Sequence, residues 1–412
     1  MEYSVLYDRA TYRVYIPASS LCYYKDRTIK ISENNSIYRI TAIAKAKNLN
    51  RPQISGGYQE DDTYNNFKWL PRFGLNTTNI YDYPEIEYPV PFSELYNNKS
   101  LRYERVEIQS VPAFINLGDV SNLAFQDCDY IIVTGCSDNH FYTTLNLLYS
   151  IVIQNCFTSF VLVDYGITAS HLHVLWDELD QIHRIHTYLN SSAVIYYRKF
   201  CFKHFPSWWN ITNRSIRGGY SWKVISIVDV LKESRHLTIW ADGGSILPES
   251  ILSDIHRAKQ FGFYSPSSGG SVQQWTHPRT FQYMMSHYSI SHIRRGKDMC
   301  SGGYMLFDYR NATVIKSLII PFLECAYTRK CISPNGSSRK NHRQDQSVIS
   351  ILVHRTWIPQ SCDGSFGTSV LFHRDCFGGS CSQIRQMMVS QILSRYNIER
   401  RYIPLMHLSV CL

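Results

Sequence analysis

From residue 129 onward, short apolar runs alternate with longer segments in which apolar residues recur at helical spacing. The apolar runs have the length and β-rich composition of buried strands and lie at 130–134, 159–163, 193–197, 237–240 and 261–264. Helices are predicted between them at 141–154, 169–179 and 222–232. Such alternation is typical of an α/β protein and predicts a mostly parallel sheet flanked by helices.

The stretch 237–250, LTIWADGGSILPES, places a carboxylate directly after one of these strands. Asp242 follows the apolar run and is followed by Gly243 and Gly244. Open α/β sheets bind ligands at the carboxyl edge of their strands, so Asp242 is a candidate ligand for a metal ion or a ribose. The alternative is an aspartate that serves only the turn. A helix is predicted to begin at 248, with Ser245 as its cap.

Two further segments carry polar groups at helix starts. The loop 134–140, TGCSDNH, follows the first strand, and backbone donors at the next helix start are able to hold phosphate or a nucleobase. Asp138 or Asn139 would otherwise be an ordinary helix cap. Lys223, in YSWK, begins a helix among aromatic residues and is a candidate to neutralise a diphosphate. The alternative is a solvated lysine.

The last two segments of interest follow residue 300. Gly302 and Gly303 precede an apolar run and permit close approach of the backbone to a ligand, or else form a tight turn. Asp345 and Gln346 stand at the head of the predicted helix in 341–352, either as a cap or at the rim of an active site.

Composition narrows the class of protein and its compartment. The net charge of +9 is spread along the chain, which suits a small anionic ligand and does not favour nucleic acid. The 12 cysteines lack paired CxxC spacing, and eight Asn-x-Ser/Thr sequons occur. Together they indicate the lumen of the secretory pathway; reduced thiols in the cytosol and unused sequons are the alternative. The first 30 residues hold no apolar signal core, so a lost membrane anchor remains open.

Three regions are predicted along the chain. Residues 1–124 are rich in Tyr, Asn and Pro without a sustained period and are interpreted as a stem or accessory segment. Residues 125–360 hold the strand and helix pattern. Residues 361–412 form a tail with four cysteines that is expected to pack on the domain. Within the domain, Cys325 and Cys331 are predicted to form a local disulfide.

Several linked motifs in 125–360 resemble glycosyltransferases of the GT-A type, which have a Rossmann-like nucleotide-sugar fold. In order these are VTGCSDNHF, VLVDYG, WADGG, FYSP, CSGGYMLF and HRQDQS. The chain also resembles a glycosyltransferase-like family abundant in nematodes and other invertebrates. That resemblance rests on VDYGIT, on the segment from Arg198 to Pro206, on YSWK, on the segment from Cys325 to Ser337, and on HRQDQS.

The resemblance implies roles for individual residues. The nucleotide would contact Thr134, Asp138, Asn139, Lys223, Asp242 and Gly244. Asp242 would occupy the first position of an Asp-x-Asp motif that binds ribose and Mn²⁺ or Mg²⁺. Here the motif reads Asp-Gly-Gly, which leaves the metal dependence open, and Lys223 or another cation would then neutralise the diphosphate.

On the acceptor side the resemblance places Gly302, Gly303 and Gln346, and it places Asp345 at the sugar or acceptor site. Asp242 and Asp345 are the candidate catalytic residues, and Asp345 would be the base if the reaction inverts the anomeric centre. The expected function is a glycosyltransferase of the secretory-pathway lumen, in the Golgi, that moves a sugar from a nucleotide-sugar donor to a hydroxyl of a glycan, protein or lipid. The alternative is a catalytically inactive binding or scaffold protein that keeps the GT-A fold, which the incomplete motif would favour.

Overall fold

The computed structural model describes residues 99–398 with short gaps, together with the backbone of four N-terminal strands. The gaps are 108–110, 123–127, 155–156, 213–215, 289, 291–292, 294–295, 366, 373, 375 and 377–378. The chain divides into two units, Met1–Gly74 and Leu75–Leu412. Most of the predicted stem and the end of the predicted tail therefore lie outside the described residues.

The first unit contains two antiparallel strand pairs. Their members are β1 (Leu6–Asp8) with β2 (Arg13–Tyr15), and β3 (Thr28–Glu33) with β4 (Ser36–Thr41).

The second unit is built on an eight-stranded sheet with the order β11-β14-β10-β7-β8-β9-β5, in which β6 also pairs with β9. Its strands are β5 (Tyr103–Glu104), β6 (Ile115–Asn116), β7 (Tyr130–Cys136), β8 (Phe160–Asp164), β9 (Ile195–Phe200), β10 (Leu237–Ala241), β11 (Phe263–Tyr264) and β14 (Tyr304–Asp308). A separate antiparallel pair is formed by β12 (Ser267–Ser271) and β13 (Asp298–Cys300).

The centre of the sheet is parallel, and its strand order reverses at β7. Strands β7, β8, β9 and β10 run in one direction, whereas β14 is antiparallel to β10 and β5 to β9. The chain proceeds from β7 outward to β9 and then returns to place β10 on the other side of β7. A crevice opens at such a reversal, outside the carboxyl ends of the strands.

Helices cover both faces of the sheet. They are α1 (Lys99–Arg102), α2 (Phe141–Val152), α3 (Ala169–Tyr188), α4 (Ser221–Ser234), α5 (Leu252–Phe261), α6 (Pro278–Tyr288), α7 (Ala312–Val314), α8 (Ile320–Tyr327), α9 (Arg329–Ile332), α10 (Asp345–Thr356) and α11 (Gly379–Arg395). Apolar residues of α2, α3, α5 and α11 form one continuous core with the sheet. Helix α4 packs on β7 and β10 from the opposite face and also contacts α8.

The predicted α/β class, with a mostly parallel sheet flanked by helices, is confirmed. The apolar runs at 130–134, 159–163, 193–197 and 237–240 are the four parallel central strands, which are buried on both faces. The run 261–264 is a strand only at Phe263–Tyr264, because α5 extends to Phe261.

Two helix boundaries were predicted wrongly. The helix after Asp242 begins at Leu252 rather than at 248, and Ser245 does not cap it. Ile246 instead exchanges backbone hydrogen bonds of 2.8 and 3.0 Å with Leu371, which keeps the segment extended. The helix predicted to end at 179 continues to Tyr188, because its apolar face remains in contact with the core.

The disulfide between Cys300 and Cys362 and the packing of helix α11 connect distant segments, whereas the other two disulfides between described cysteines are local. Cys300 is bonded to Cys362, and Cys376 to Cys381. The predicted local bond between 325 and 331 is present. Helix α11 packs against α2. Within the described part of the chain, no helix combines the length and apolar character that a membrane span requires.

A left-handed turn precedes α4 and sets where that helix begins. Gly218 has φ +64°, and a Cβ at this position would collide with the carbonyl oxygen of Trp209. We expect Gly218→Ala to lower the free energy of unfolding by about 2 kcal/mol or more, through overpacking and an unfavourable φ. Gly269→Ala is the matched control, since Gly269 has nothing within 4 Å of an added Cβ. Denaturant unfolding measures both; equal stability of the two variants would contradict the prediction.

Candidate functional site

A cavity of about 790 Å³ opens at the carboxyl ends of β7 and β10. One wall comes from Gly135 near the end of β7 and from the following loop, from Ser137 to His140, and another wall comes from Asp242 to Ser245 after β10. Aromatic side chains complete it: Tyr165, Tyr220, Trp222, Trp240 and Phe372. Because the parallel strands end at the same edge of the sheet, residues more than 100 positions apart meet here.

Two glycines let these walls approach each other. A Cβ at Gly135 would collide with the ring of Tyr165, and a Cβ at Gly243 would collide with the hydroxyl of Thr144. Both positions lie where a strand has just ended or is about to end. The absence of a side chain at each is therefore required by packing around the cavity.

Asp242 is the acidic residue at the end of β10, and 37% of its side chain is exposed at the cavity. Its backbone N–H donates to the Gly303 carbonyl at 2.8 Å, which ties the end of β10 to the turn before β14. The indole Nε1 of Trp240 donates to Oδ1 of Asp242 at 2.6 Å. These contacts fix the carboxylate, while Asp242 still faces the cavity.

The Lys223 ammonium lies behind Asp242 and is held by three oxygens. Nζ is 3.1 Å from Oδ1 of Asp242, 3.0 Å from Oδ2 of Asp345 and 3.1 Å from the Gly302 carbonyl oxygen, to which it donates. Only 4% of the lysine side chain is exposed. Lys223 does not line the cavity, and its direct contact with a diphosphate stays a prediction.

Charge explains why the buried lysine stays protonated. Burial alone would lower the pKa of Lys223, but Asp242 and Asp345 outweigh that effect and raise the pKa above its usual value. Burial raises the pKa of Asp345 to about 6, with the Asp242 charge acting in the same direction and Lys223 opposing it. The side chains of Asp242 and Asp345 therefore favour the charged form of the buried lysine.

Asp345 opens helix α10, directly after Gln344 at φ +44°. It is 3% exposed, it points to Lys223 and it does not line the cavity. A general base must reach the proton that it removes, directly or through one water. The predicted catalytic base is thus placed one layer behind the cavity wall.

Asp138 joins the loop after β7 to the start of α3. Its Oδ1 accepts from the Thr168 hydroxyl at 2.8 Å and lies 2.7 Å from Nδ1 of His171. Burial would raise the pKa of Asp138, but the hydrogen bonds from Thr168 and His171 outweigh it and lower the pKa. The carboxylate is therefore ionised, and it shapes the loop at the cavity wall.

The ten residues predicted from the sequence divide into two groups. Five line the cavity: Asp138, Asn139, Asp242, Gly244 and Gly303. Five lie behind it: Thr134, Lys223, Gly302, Asp345 and Gln346.

Three of the residues behind the wall pack against neighbouring parts of the chain. Thr134 is fully buried within β7 and does not line the cavity. Gly302 is buried, and a Cβ on it would lie 3.0 Å from Cβ of Gln346. Gln346 donates to the Cys300 carbonyl at 2.7 Å. The predicted acceptor side therefore supports the turn that holds Gly303.

Two arginines of the cavity wall were not identified from the sequence. Arg217 precedes the two glycines ahead of α4, and Arg339 lies in the loop between α9 and α10. Neither guanidinium forms an ion pair with any residue in the described ranges. The RGGY turn before the YSWK helix start was a usable signal for Arg217. Nothing in the local sequence distinguishes Arg339 from the basic residues around it.

The residues present do not fit the Mn²⁺ or Mg²⁺ site that the resemblance implies, because the second carboxylate of its Asp-x-Asp motif is missing. At a phosphate site Mg²⁺ is usually held by one or two carboxylates together with waters and phosphate oxygens. In the described part of the chain, no three His, Cys, Asp or Glu side chains are placed to hold a metal ion. Oδ1 of Asp242 already contacts Trp240 and Lys223. Position 244, where a second carboxylate would stand, is glycine.

No protein-family model and no curated protein matches this sequence. Partial likenesses to solved structures exist. The bifunctional glycosyltransferase WbbM is 7% identical with a TM-score of 0.36, over 58% of this chain and 39% of WbbM. Mouse xyloside xylosyltransferase 1 is 12% identical with a TM-score of 0.36, over 55% of this chain and 82% of the enzyme.

A third likeness is to core-mannan synthase A from Aspergillus fumigatus in its Mn/GDP form. It is 7% identical with a TM-score of 0.34, over 62% of this chain and 84% of the synthase. At TM-scores of this size, the likenesses establish neither a shared activity nor a shared site for this chain.

Removing the buried ammonium leaves an uncompensated carboxylate. We expect Lys223→Met to lower the free energy of unfolding by about 3–5 kcal/mol, because Asp345 then stays buried without its cation. Lys223→Met/Asp345→Asn is expected to recover a large part of that loss. Denaturant unfolding of the two variants and of Asp345→Asn completes a double-mutant cycle. Additive effects of the two single substitutions would show that the two groups do not interact.

Proposed function

We propose that this protein is a GT-A type glycosyltransferase that moves a sugar from a nucleotide-diphosphate donor to a hydroxyl acceptor. The observation that carries the proposal is the position of Asp242. It stands at the carboxyl end of a central parallel strand, at the reversal of strand order, and faces a cavity of about 790 Å³. Ligand sites in α/β sheets lie at that position, and pockets of about 300–1,000 Å³ accommodate small ligands.

The lining of the cavity suits the parts of such a donor. Arg217 and Arg339 supply guanidinium groups, which bind phosphate oxygens through paired N–H donors. Tyr165, Tyr220 and Trp222 offer ring surfaces against which a base or a sugar face packs. Asp242 offers carboxylate oxygens to sugar or ribose hydroxyls.

In the proposed reaction these residues position the donor and stabilise charge on the departing diphosphate. The two arginines would meet the negative charge that develops as the glycosidic bond to the diphosphate breaks. Asp345 is assigned a positioning role, since it holds Lys223, which in turn contacts Asp242. The donor sugar, the acceptor and the stereochemical course are left to experiment.

We further propose that the protein works in the lumen of the secretory pathway. Within the described residues of the second unit, the bonds Cys300–Cys362, Cys325–Cys331 and Cys376–Cys381 are disulfides. The sequon asparagines Asn190, Asn210 and Asn335 are exposed and accessible to a glycosylation enzyme. Disulfides persist in that oxidising compartment.

Turnover tests the role of Asp242. We expect Asp242→Asn to lower release of the nucleoside diphosphate from the preferred member of a nucleotide-sugar panel by about 100-fold or more, because a charged ligand of the donor is lost. Asp129→Asn is the matched control. Asp129 is exposed at the opposite end of β7 and pairs with Lys259. Equal turnover by both variants would contradict the assignment, and diphosphate binding without turnover by the wild type would favour the inactive binding protein.

The role of the cavity arginines is tested by the affinity for a nucleoside diphosphate. We expect Arg339→Gln to weaken binding of a nucleoside diphosphate by about tenfold, because a charge-assisted hydrogen bond to phosphate is lost. Lys340→Gln makes the same change of charge at the next residue, which is exposed and does not line the cavity. Isothermal titration calorimetry measures both. A similar loss in the two variants would indicate an effect of net charge alone.

A further inference from the structure

We propose that the Lys223 ammonium is a built-in cation that compensates Asp242 and Asp345, and that the cavity binds a diphosphate group without a divalent metal ion. This inference rests on the proposed function, because it concerns how the same site receives the donor. It differs from direct neutralisation by Lys223, since the lysine does not reach the cavity.

The surroundings of Nζ have the features of a cation site. An ammonium has three N–H donors, and three oxygens lie 3.0 to 3.1 Å from it, two from carboxylates and one from the Gly302 carbonyl. The rings of Tyr220 and Trp240 have their centroids 5.1 and 5.5 Å from the same nitrogen. These contacts come from α4, from the end of β10, from the turn before β14 and from the start of α10. The ammonium is therefore fixed by the fold itself.

The location of this cation matters for an anionic ligand. A carboxylate that faces a diphosphate repels it unless a positive charge lies close by. Lys223 does not line the cavity, and its Nζ contacts Oδ1 of Asp242. Asp242 can therefore offer its remaining oxygen to hydroxyl groups while its charge is compensated from behind. Arg217 and Arg339 then supply the positive charge that meets the phosphates.

The sequence around Asp242 is consistent with a site that lacks a set of metal ligands. Gly243 must lack a side chain because of Thr144, and Gly244 lines the cavity without offering a donor side chain. A Cβ at Gly303 would lie 3.2 Å from Oδ2 of Asp242. The site thus keeps space beside Asp242 open and provides no second carboxylate there.

The inference is tested by measuring nucleotide affinity with and without a metal ion, using the full chain. The dissociation constants of UDP, GDP, ADP and CDP are measured by calorimetry in EDTA and again in MnCl₂. We expect the dissociation constant of the tightest-binding nucleotide to differ by less than about twofold between the two buffers. Binding about tenfold or more tighter in MnCl₂ would overturn the inference and leave the sugar-transfer proposal standing. Failure of all four to bind in either buffer would remove the proposed function and the inference with it.

Manganese alone provides a second readout that needs no nucleotide. Electron paramagnetic resonance of MnCl₂ titrated into the ligand-free protein is expected to show no stoichiometric bound Mn²⁺. A single bound Mn²⁺ that disappears in Asp242→Asn would overturn the inference, whatever the nucleotide measurements give.

A paired substitution tests the lysine itself. In EDTA, Lys223→Met/Asp345→Asn is expected to weaken binding of the same diphosphate by about tenfold or more, because Asp242 is left uncompensated. Lys223→Arg keeps a positive charge and is expected to weaken binding of the diphosphate less than the paired variant does. Wild-type affinity in the paired variant, with cooperative thermal unfolding retained, would show that the ammonium is not needed. If the paired variant does not fold, the two wild-type experiments decide the inference.

Discussion

The buried contact between Lys223, Asp242 and Asp345 is the interaction on which the arrangement of the site depends. A lysine with 4% of its side chain exposed is stable only because two carboxylates and a carbonyl surround its ammonium. Its partners lie directly after β10 and at the start of α10, so the ion cluster connects the edge of the sheet with α4 and α10. The position of Asp242 at the cavity follows from that connection.

The topology of the sheet supplies the other half of the site. Because β7 and β10 are parallel neighbours, the turns that follow them meet at one edge. The reversal of strand order leaves a crevice there. Gly135 and Gly243 allow the walls of the crevice to pack closely at points where a side chain would collide with Tyr165 or Thr144. Backbone direction and the absence of two side chains thus create the cavity.

Local pattern was sufficient for the central strands and for Asp242. Strands buried on both faces give continuous apolar runs, and an acidic residue with glycines directly after such a run is visible in the sequence. The start of α5 was less predictable, because the contact of Ile246 with Leu371 keeps the preceding segment extended across 125 positions of sequence. A local capping signal carries no information about a partner that distant.

The sequence by itself determined the α/β class, the four parallel strands and the carboxylate at the edge of the sheet, because each follows from residue spacing within about ten positions. Only the tertiary structure decided which polar groups face the cavity. It placed Lys223 and Asp345 behind Asp242 and brought Arg339 to the wall, since burial and charge pairing join residues from elements far apart in the chain. The sequence shows the type of each side chain. The direction in which each side chain points is set by packing.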